Sequence, residues 1–262
     1  MSELNPVRIA VIGAGAMGRN HIRFVTEEPE AELVAIADAF EGARATAEAA
    51  GVPFYTDPAQ MMDEVKPEAV IIATPNDLHL GVAREAVKRN IVPLVEKPIS
   101  NDLEDAQAFA AEAETAAVPV LVGQHRRHNP FVNKAKEIIE SGAIGELTFV
   151  ESEYAHDYSK ISSTWRKDPN RNGVVGGGCH AVDLLRWIAG NPEEVVAYGT
   201  HKTFKDLTPY ADTHVAVLKF PNEVIGKVFV SVSCKRNYTM RSVFYGTKGT
   251  IIVDNTSPTM TV

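Results

Sequence analysis

The stretch that most constrains this chain lies at its start. An apolar run, Val7 to Ile12, enters a glycine turn in which Gly13, Gly15 and Gly18 fall in a Gly-x-Gly-x-x-Gly spacing. A strand delivering its chain into such a turn, with a helical pattern (Met17, His21, Ile22, Val25) directly after it, reads as a dinucleotide site. Gly13 permits the tight turn. Gly15 removes the Cβ that would hold a pyrophosphate off the backbone, and Gly18 lets the helix pack closely on the strand. That helix, opening near Met17, points its free N–H groups and positive dipole end at the phosphates, which brings Ala16 and Met17 into the cofactor site. Asp38 follows Gly18 by twenty residues and closes the next apolar run, Leu33 to Ala37. At that spacing a carboxylate meets the adenosine ribose hydroxyls. Glycine turns also join strands to helices with no ligand, but here strand, turn, helix and acid are all in register.

Apolar runs at Ala69–Ala73, Ile91–Val95 and Val118–Gly123 alternate with helical patterns to Lys88 and over Asp102–Ala117. That grammar predicts a parallel sheet with right-handed crossovers and ligands at the strand C-terminal ends. Past Pro130 it changes. Two helices (Phe131–Ser141, Gly178–Ala189) accompany strand-like runs at Leu147–Tyr158, Val195–Thr203, His214–Phe220, Val224–Cys234, Ser242–Tyr245 and Thr250–Val253, the last two joined by the hairpin signal Gly246-Thr247-Lys248-Gly249. The expected fold is α/β. A Rossmann dinucleotide-binding domain occupies residues 1–125, and an α+β domain for substrate binding and dimerisation, with an open, mainly antiparallel sheet, occupies 126–262.

A net charge of −8, from 26 basic against 34 acidic residues with no Lys/Arg block, gives a nucleic acid or an anionic membrane no electrostatic purchase. Two cysteines, Cys179 and Cys234, make no disulfide framework and fit a reducing compartment. No membrane-length apolar stretch is present, and the first strand at Val7 leaves no space for a signal peptide; a cytoplasmic protein working on small molecules is expected.

Lys97 ends a parallel strand, where the nicotinamide end of a dinucleotide is expected and a lysine can exchange a proton with a substrate hydroxyl. Surface lysines after strands are also common. Glu96-Lys97-Pro98, the glycine turn and Ala73-Thr74-Pro75-Asn76 together resemble the glucose-fructose oxidoreductase/inositol dehydrogenase/MocA family over essentially the whole chain. The resemblance implies Lys97 as catalytic proton carrier, a cis Lys97–Pro98 peptide, and a nicotinamide pocket drawing on Thr74, Pro75, Asn76, His79 and Glu96. The family's second motif, Asp-x-Gly-x-His-x-x-Asp, reads Gly176-Gly177-Gly178-Cys179-His180-Ala181-Val182-Asp183 here. His180 is thereby implied as catalytic partner and Asp183 as a substrate ligand, while Gly176 replaces the leading aspartate. A polar group from His156 or Asp183 is expected to fill that place.

By the same resemblance Tyr238, Gln124, Arg127, His156, Trp165 and Arg166 border the substrate. His125 and His128 are spaced as metal ligands sometimes are, but without carboxylates beside them no metal is expected. The implied activity is NAD-dependent oxidation of a secondary alcohol of a sugar, cyclitol or polyol. NAD is preferred to NADP because Asp38 repels a 2′-phosphate and Ala39-Phe40 offer no arginine. Two rivals stand: an oxidation–elimination glycosidase keeping NAD bound, and a dinucleotide-sensing regulator. Relatives continue past the strand at Thr250–Asp254, whereas this sequence stops at Val262. Strands apolar on both sides, Val228/Val230/Val232 against Phe229/Ser231/Ser233 and Val215/Val217 against Ala216/Leu218, suggest a homodimer or homotetramer, as does the resemblance.

Overall fold

A computed structural model describes residues 5–160, 172–205, 210–257 and 260. The chain divides into two compact units, Met1–Gly123 and Gln124–Val262.

In the first unit, β1 (Val7–Ile12), β2 (Ala31–Ala37), β3 (Phe54–Tyr55), β4 (Ala69–Ile72), β5 (Val92–Val95) and β6 (Leu121–Val122) pair in the order β3-β2-β1-β4-β5-β6, all parallel. Because side chains alternate along a strand, each strand feeds two cores. Ala10, Ile12, Ala35, Ala37, Val70 and Ile72 pack with residues of α3 (Pro58–Val65), α4 (His79–Lys88) and α5 (Leu103–Ala116). Val11, Ile36 and Ile71 pack with α1 (Ala16–Glu27) and α2 (Arg44–Ala50). The sheet is therefore wound on both faces, as the sequence grammar predicts. Its order reverses between β1 and β4, so the turns leaving those strands open at the switch point where ligands bind in such sheets.

Two details differ from expectation. Helix α3 has no counterpart among the expected elements, although Asp57 caps it by accepting from the Ala59 and Gln60 N–H groups and Pro58 opens it. Strand β6 shrinks from Val118–Gly123 to two exposed residues at the sheet edge.

The second unit carries α6 (Pro130–Glu140), capped by Asn129, then β7 (Leu147–Ala155), a π-helical turn at Val174–Gly178 that runs into α7 (Cys179–Ala189), and β8 (Glu194–Thr200), β9 (Thr213–Lys219), β10 (Ile225–Ser231), β11 (Thr239–Gly246) and β12 (Thr250–Asp254). The sheet order is β12-β11-β7-β10-β9-β8, antiparallel except for the β7/β10 pair. α7 lies over β7 and β10, sealing a core of Leu184, Leu185, Val150, Val230 and Phe244. Val228, Val230 and Val232 all belong to that core. The opposite face is mixed: Val215, Val217 and Phe229 lie on it as expected, but Glu151 pairs there with Lys227 and Arg241, and Glu153 with Arg236, so the apolar character does not extend across the sheet. Among the described residues no helix is long and apolar enough to cross a membrane.

Candidate active site

In the first unit the candidate residues gather around the switch point of the parallel sheet. Gly13 adopts φ +94°, and a Cβ there would sit 2.6 Å from the Ala73 carbonyl oxygen. A Cβ on Gly18 would fall 1.7 Å from the Gly13 carbonyl oxygen, so this glycine lets α1 close on the turn itself rather than on the strand. Gly15 is different. Nothing lies within 4 Å of the space its Cβ would take, which leaves the turn open to a ligand beside the unbonded N–H groups of the first turn of α1. The Asp38 carboxylate is fixed from both sides, Oδ2 accepting from the Ala14 N–H at 2.7 Å and Oδ1 from the Phe40 N–H at 2.8 Å. Each oxygen keeps a further lone pair for a ribose hydroxyl. At the end of β4 the Thr74 hydroxyl is buried with no hydrogen-bond partner among the described residues. An open glycine cradle, a held carboxylate and an orphaned hydroxyl fit a dinucleotide.

Lys97 follows β5, and the Lys97–Pro98 peptide is cis. Its loop is held by two buried side chains. Glu96 accepts the Lys97 backbone N–H at 3.1 Å and meets His21 Nε2 of α1 at 2.9 Å. Burial pushes the Glu96 carboxyl up, but His21, Lys97 and the backbone bond outweigh it and hold the carboxyl below its usual range. His79, 1% exposed, places Nδ1 2.8 Å from the Pro98 carbonyl oxygen and Nε2 3.0 Å from that of Thr74. Both ring nitrogens are thus engaged by backbone. They make His79 a clamp between the loops after β4 and β5. Asn76 is also buried, its amide 3.5 Å from Asn101 Oδ1.

The second unit holds the other group of candidates. The turn before α7 lies close on the sheet: a Cβ on Gly177 would strike the Tyr154 ring at 2.4 Å, and one on Gly178 would strike Val230 at 2.5 Å. This seating fixes His180 one residue into α7, 3% exposed, with its ring 4.5 Å from that of His125 in an edge contact. Asp183, one turn on, is gripped by the Arg127 fork at 2.8 and 2.6 Å. That bond raises the Arg127 pKa, and it engages both the Asp183 oxygens expected to serve substrate or to replace the aspartate absent at Gly176. Tyr238 packs its ring 5.0 Å from His156 and 5.6 Å from Tyr154. The Tyr154 hydroxyl lies 3.3 Å from both His156 Nδ1 and the Tyr158 hydroxyl. Desolvation raises the Tyr238 phenol; Arg126 opposes the rise, and Tyr158 and Cys179 add to it. Gln124 Oε1 is buried and unpartnered among the described residues. Trp165 and Arg166 lie outside the described residues. No group of three or more His, Cys, Asp or Glu among the described residues is placed to hold a metal.

Sequence reasoning passed over two residues that the structure makes prominent. His21 entered only as one position of an amphipathic pattern, and its bond to Glu96 joins positions 75 residues apart. Arg126 was masked by its neighbour Arg127.

Residues 7–124 match the family described as "Oxidoreductase family, NAD-binding Rossmann fold", and residues 132–252 match the "GFO/IDH/MocA C-terminal domain". Inositol 2-dehydrogenase 2 of Saccharopolyspora erythraea is 30% identical over 252 residues, 94% of this chain and 72% of that protein. Among solved structures, a probable dehydrogenase from Thermotoga maritima superposes with a TM-score of 0.87 at 28% identity, covering 97% of this chain and 77% of that one. The WlbA dehydrogenase of Bordetella pertussis, in complex with NADH and UDP-GlcNAcA, gives 0.86 at 26% identity, covering 97% and 79%.

Proposed function

The chain belongs to the GFO/IDH/MocA oxidoreductase family, and from that premise we propose that it oxidises a secondary alcohol of a sugar, cyclitol or related polyol with NAD. The observation carrying the proposal is the Lys97 loop, fixed by Glu96 and His79 beside the switch point. The cradle of Gly13, Gly15 and Gly18, the first turn of α1 and Asp38 would hold the dinucleotide. When bound, its nicotinamide supplies the hydride acceptor. Lys97 takes the hydroxyl proton, and His180 of the second unit is the proposed catalytic partner, its imidazole suited to hydrogen-bond and orient a substrate hydroxyl. The Glu96 carboxylate keeps the loop in place and adds negative charge near the lysine. Tyr238, His156 and Tyr154 offer hydroxyl, imidazole and ring faces to a polyol.

NAD reduction by the purified protein against a panel of aldoses, sugar acids and inositols tests the reading. At least one polyol should yield net NADH. Lys97→Ala should then lower turnover by about 10²-fold or more while NAD affinity stays within a few-fold. Near-normal turnover in that variant would remove the lysine from proton transfer. Products of elimination without net NADH would favour the oxidation–elimination cycle.

A further inference from the structure

Two adjacent arginines of the second unit are in opposite states. Arg127 has 40% of its side chain exposed, yet its guanidinium is fully matched in a fork with Asp183. Arg126 is 6% exposed, yet it donates no hydrogen bond and meets no carboxylate among the described residues; its Nε is buried and unpartnered. Ordinary packing predicts the reverse, since a buried charge needs a counter-ion far more than an exposed one does. Burial lowers the Arg126 pKa, and the described titratable group whose charge bears on it is the Tyr238 phenol. An arginine does not escape this by losing its proton.

We propose that Arg126 binds an oxyanion of the substrate, so that the polyol oxidised by this enzyme is an acidic one, carrying a carboxylate or a phosphate ester. The inference rests on the dehydrogenase reading and narrows its substrate class. A guanidinium offers five N–H donors in a planar fork suited to such oxyanions. Beside it, Tyr238 and, through ring contacts of 5.0 and 5.6 Å, His156 and Tyr154 present the polar and aromatic surface that sugar hydroxyls and C–H faces need. The anion would supply the counter-charge that the described residues withhold. Family membership alone leaves this open, because a neutral inositol and a sugar-acid nucleotide both occur in the names of its relatives.

The test compares matched ligands on the NADH-loaded protein: glucose, galactose and myo-inositol against glucuronate, galacturonate and gluconate, with glucose 6-phosphate and inorganic phosphate as the phosphate arm. Calorimetric binding and NAD-coupled oxidation are both read, for wild type, Arg126→Met and Arg126→Lys. At least one anionic ligand should bind about 30-fold or more tightly than its neutral counterpart, and Arg126→Met should abolish that difference, with partial recovery in Arg126→Lys. The carboxylate and phosphate arms decide which oxyanion is held. Removing an uncompensated buried charge should leave the ligand-free melting temperature of Arg126→Met unchanged or raised, whereas a structural arginine would give a clear fall. Anion binding through Arg126 without NADH formation would refute the dehydrogenase reading and keep Arg126 as the oxyanion site. Neutral polyols bound and oxidised as well as their acids, or equal losses on both in Arg126→Met, would overturn it while leaving the dehydrogenase reading intact; so would the absence of any preferential anion binding.

Discussion

The two sheets of this protein solve burial in different ways. In the parallel sheet, successive residues of one strand go to opposite cores: Ile72 and Val70 to one, Ile71 to the other. In the second sheet only the face beneath α7 is sealed, while β8 is exposed along its whole length and Val217 of β9 is 51% exposed. A sheet covered on both faces offers ligands only its ends, and its glycine cradle, Asp38, Thr74 and Lys97 all lie just past strand C-termini. A sheet with one open face keeps a second surface available for another role.

The largest effect that separates the two sheets is in packing. Ile72→Ala, at a site with no exposure, should cost about 2–5 kcal/mol of stability through lost burial and the cavity left behind. Val217→Ala should cost the single chain no more than about 0.5 kcal/mol. Denaturant unfolding of both variants, at concentrations low enough to dissociate any oligomer, measures the gap, and comparable losses there would mean that the outer face is packed within the chain itself.

Next in size is cofactor choice, a property of the strand ends. With its carboxylate fixed by the Ala14 and Phe40 N–H groups, Asp38 cannot swing away from a 2′-phosphate. NADP should bind about tenfold or more weakly than NAD, a conservative figure for two like charges in contact at a protein surface. Calorimetry on Asp38→Asn should show the gap closing. Equal affinities in the wild type would remove Asp38 from that role.

A smaller effect concerns the anchor beneath Lys97. The folded-state pKa of Glu96 is held below 4.5, so its contribution to stability is complete above its unfolded value and is lost as pH falls through the folded one. Melting temperature followed between about pH 6 and pH 3 should therefore fall less steeply in Glu96→Gln than in wild type. Parallel curves would show that the contact with His21 does not couple to folding.

How much of this was written in the sequence also differs between the sheets. The parallel sheet was legible because its strands, turns and acid are local signals: Val7 to Gly18 fixes strand, turn and helix within a dozen residues. The missed helix α3 had its signal too, in Asp57-Pro58, but its short pattern lacked the length that sets a helix apart. The second sheet was legible as strands and not as a pairing scheme; nothing local tells β7 to lie parallel to β10, some 75 residues on. The site divides in the same way. Gly13, Asp38 and Lys97 sit in motifs, whereas His79 as a clamp, His21 on Glu96 and the unmatched Arg126 depend on contacts or burial that a linear chain does not display. The engagement of Asp183 by Arg127 was hidden for the same reason, because it joins positions 56 residues apart.

The smallest expected change in fold stability is on the open face, where it bears on assembly. That face is two-toned. Val196 stands opposite Val217, Tyr198 opposite Val215, and Val215 opposite Phe229, making an apolar half across β8, β9 and β10. Glu151, Lys227 and Arg241 make the other half polar. An apolar half bordered by ion pairs is the composition of an interface with a core and a rim, and it supports the proposed homo-oligomer. Light scattering behind a sizing column should give two or four chain masses at micromolar concentration. Tyr198→Lys combined with Val217→Lys should shift the particle to a single chain mass with an unchanged circular dichroism spectrum, since neither side chain contributes to the sealed core. A wild type that runs as a monomer would show that the open face stays in water, and the contrast between the sheets would then be one of burial alone.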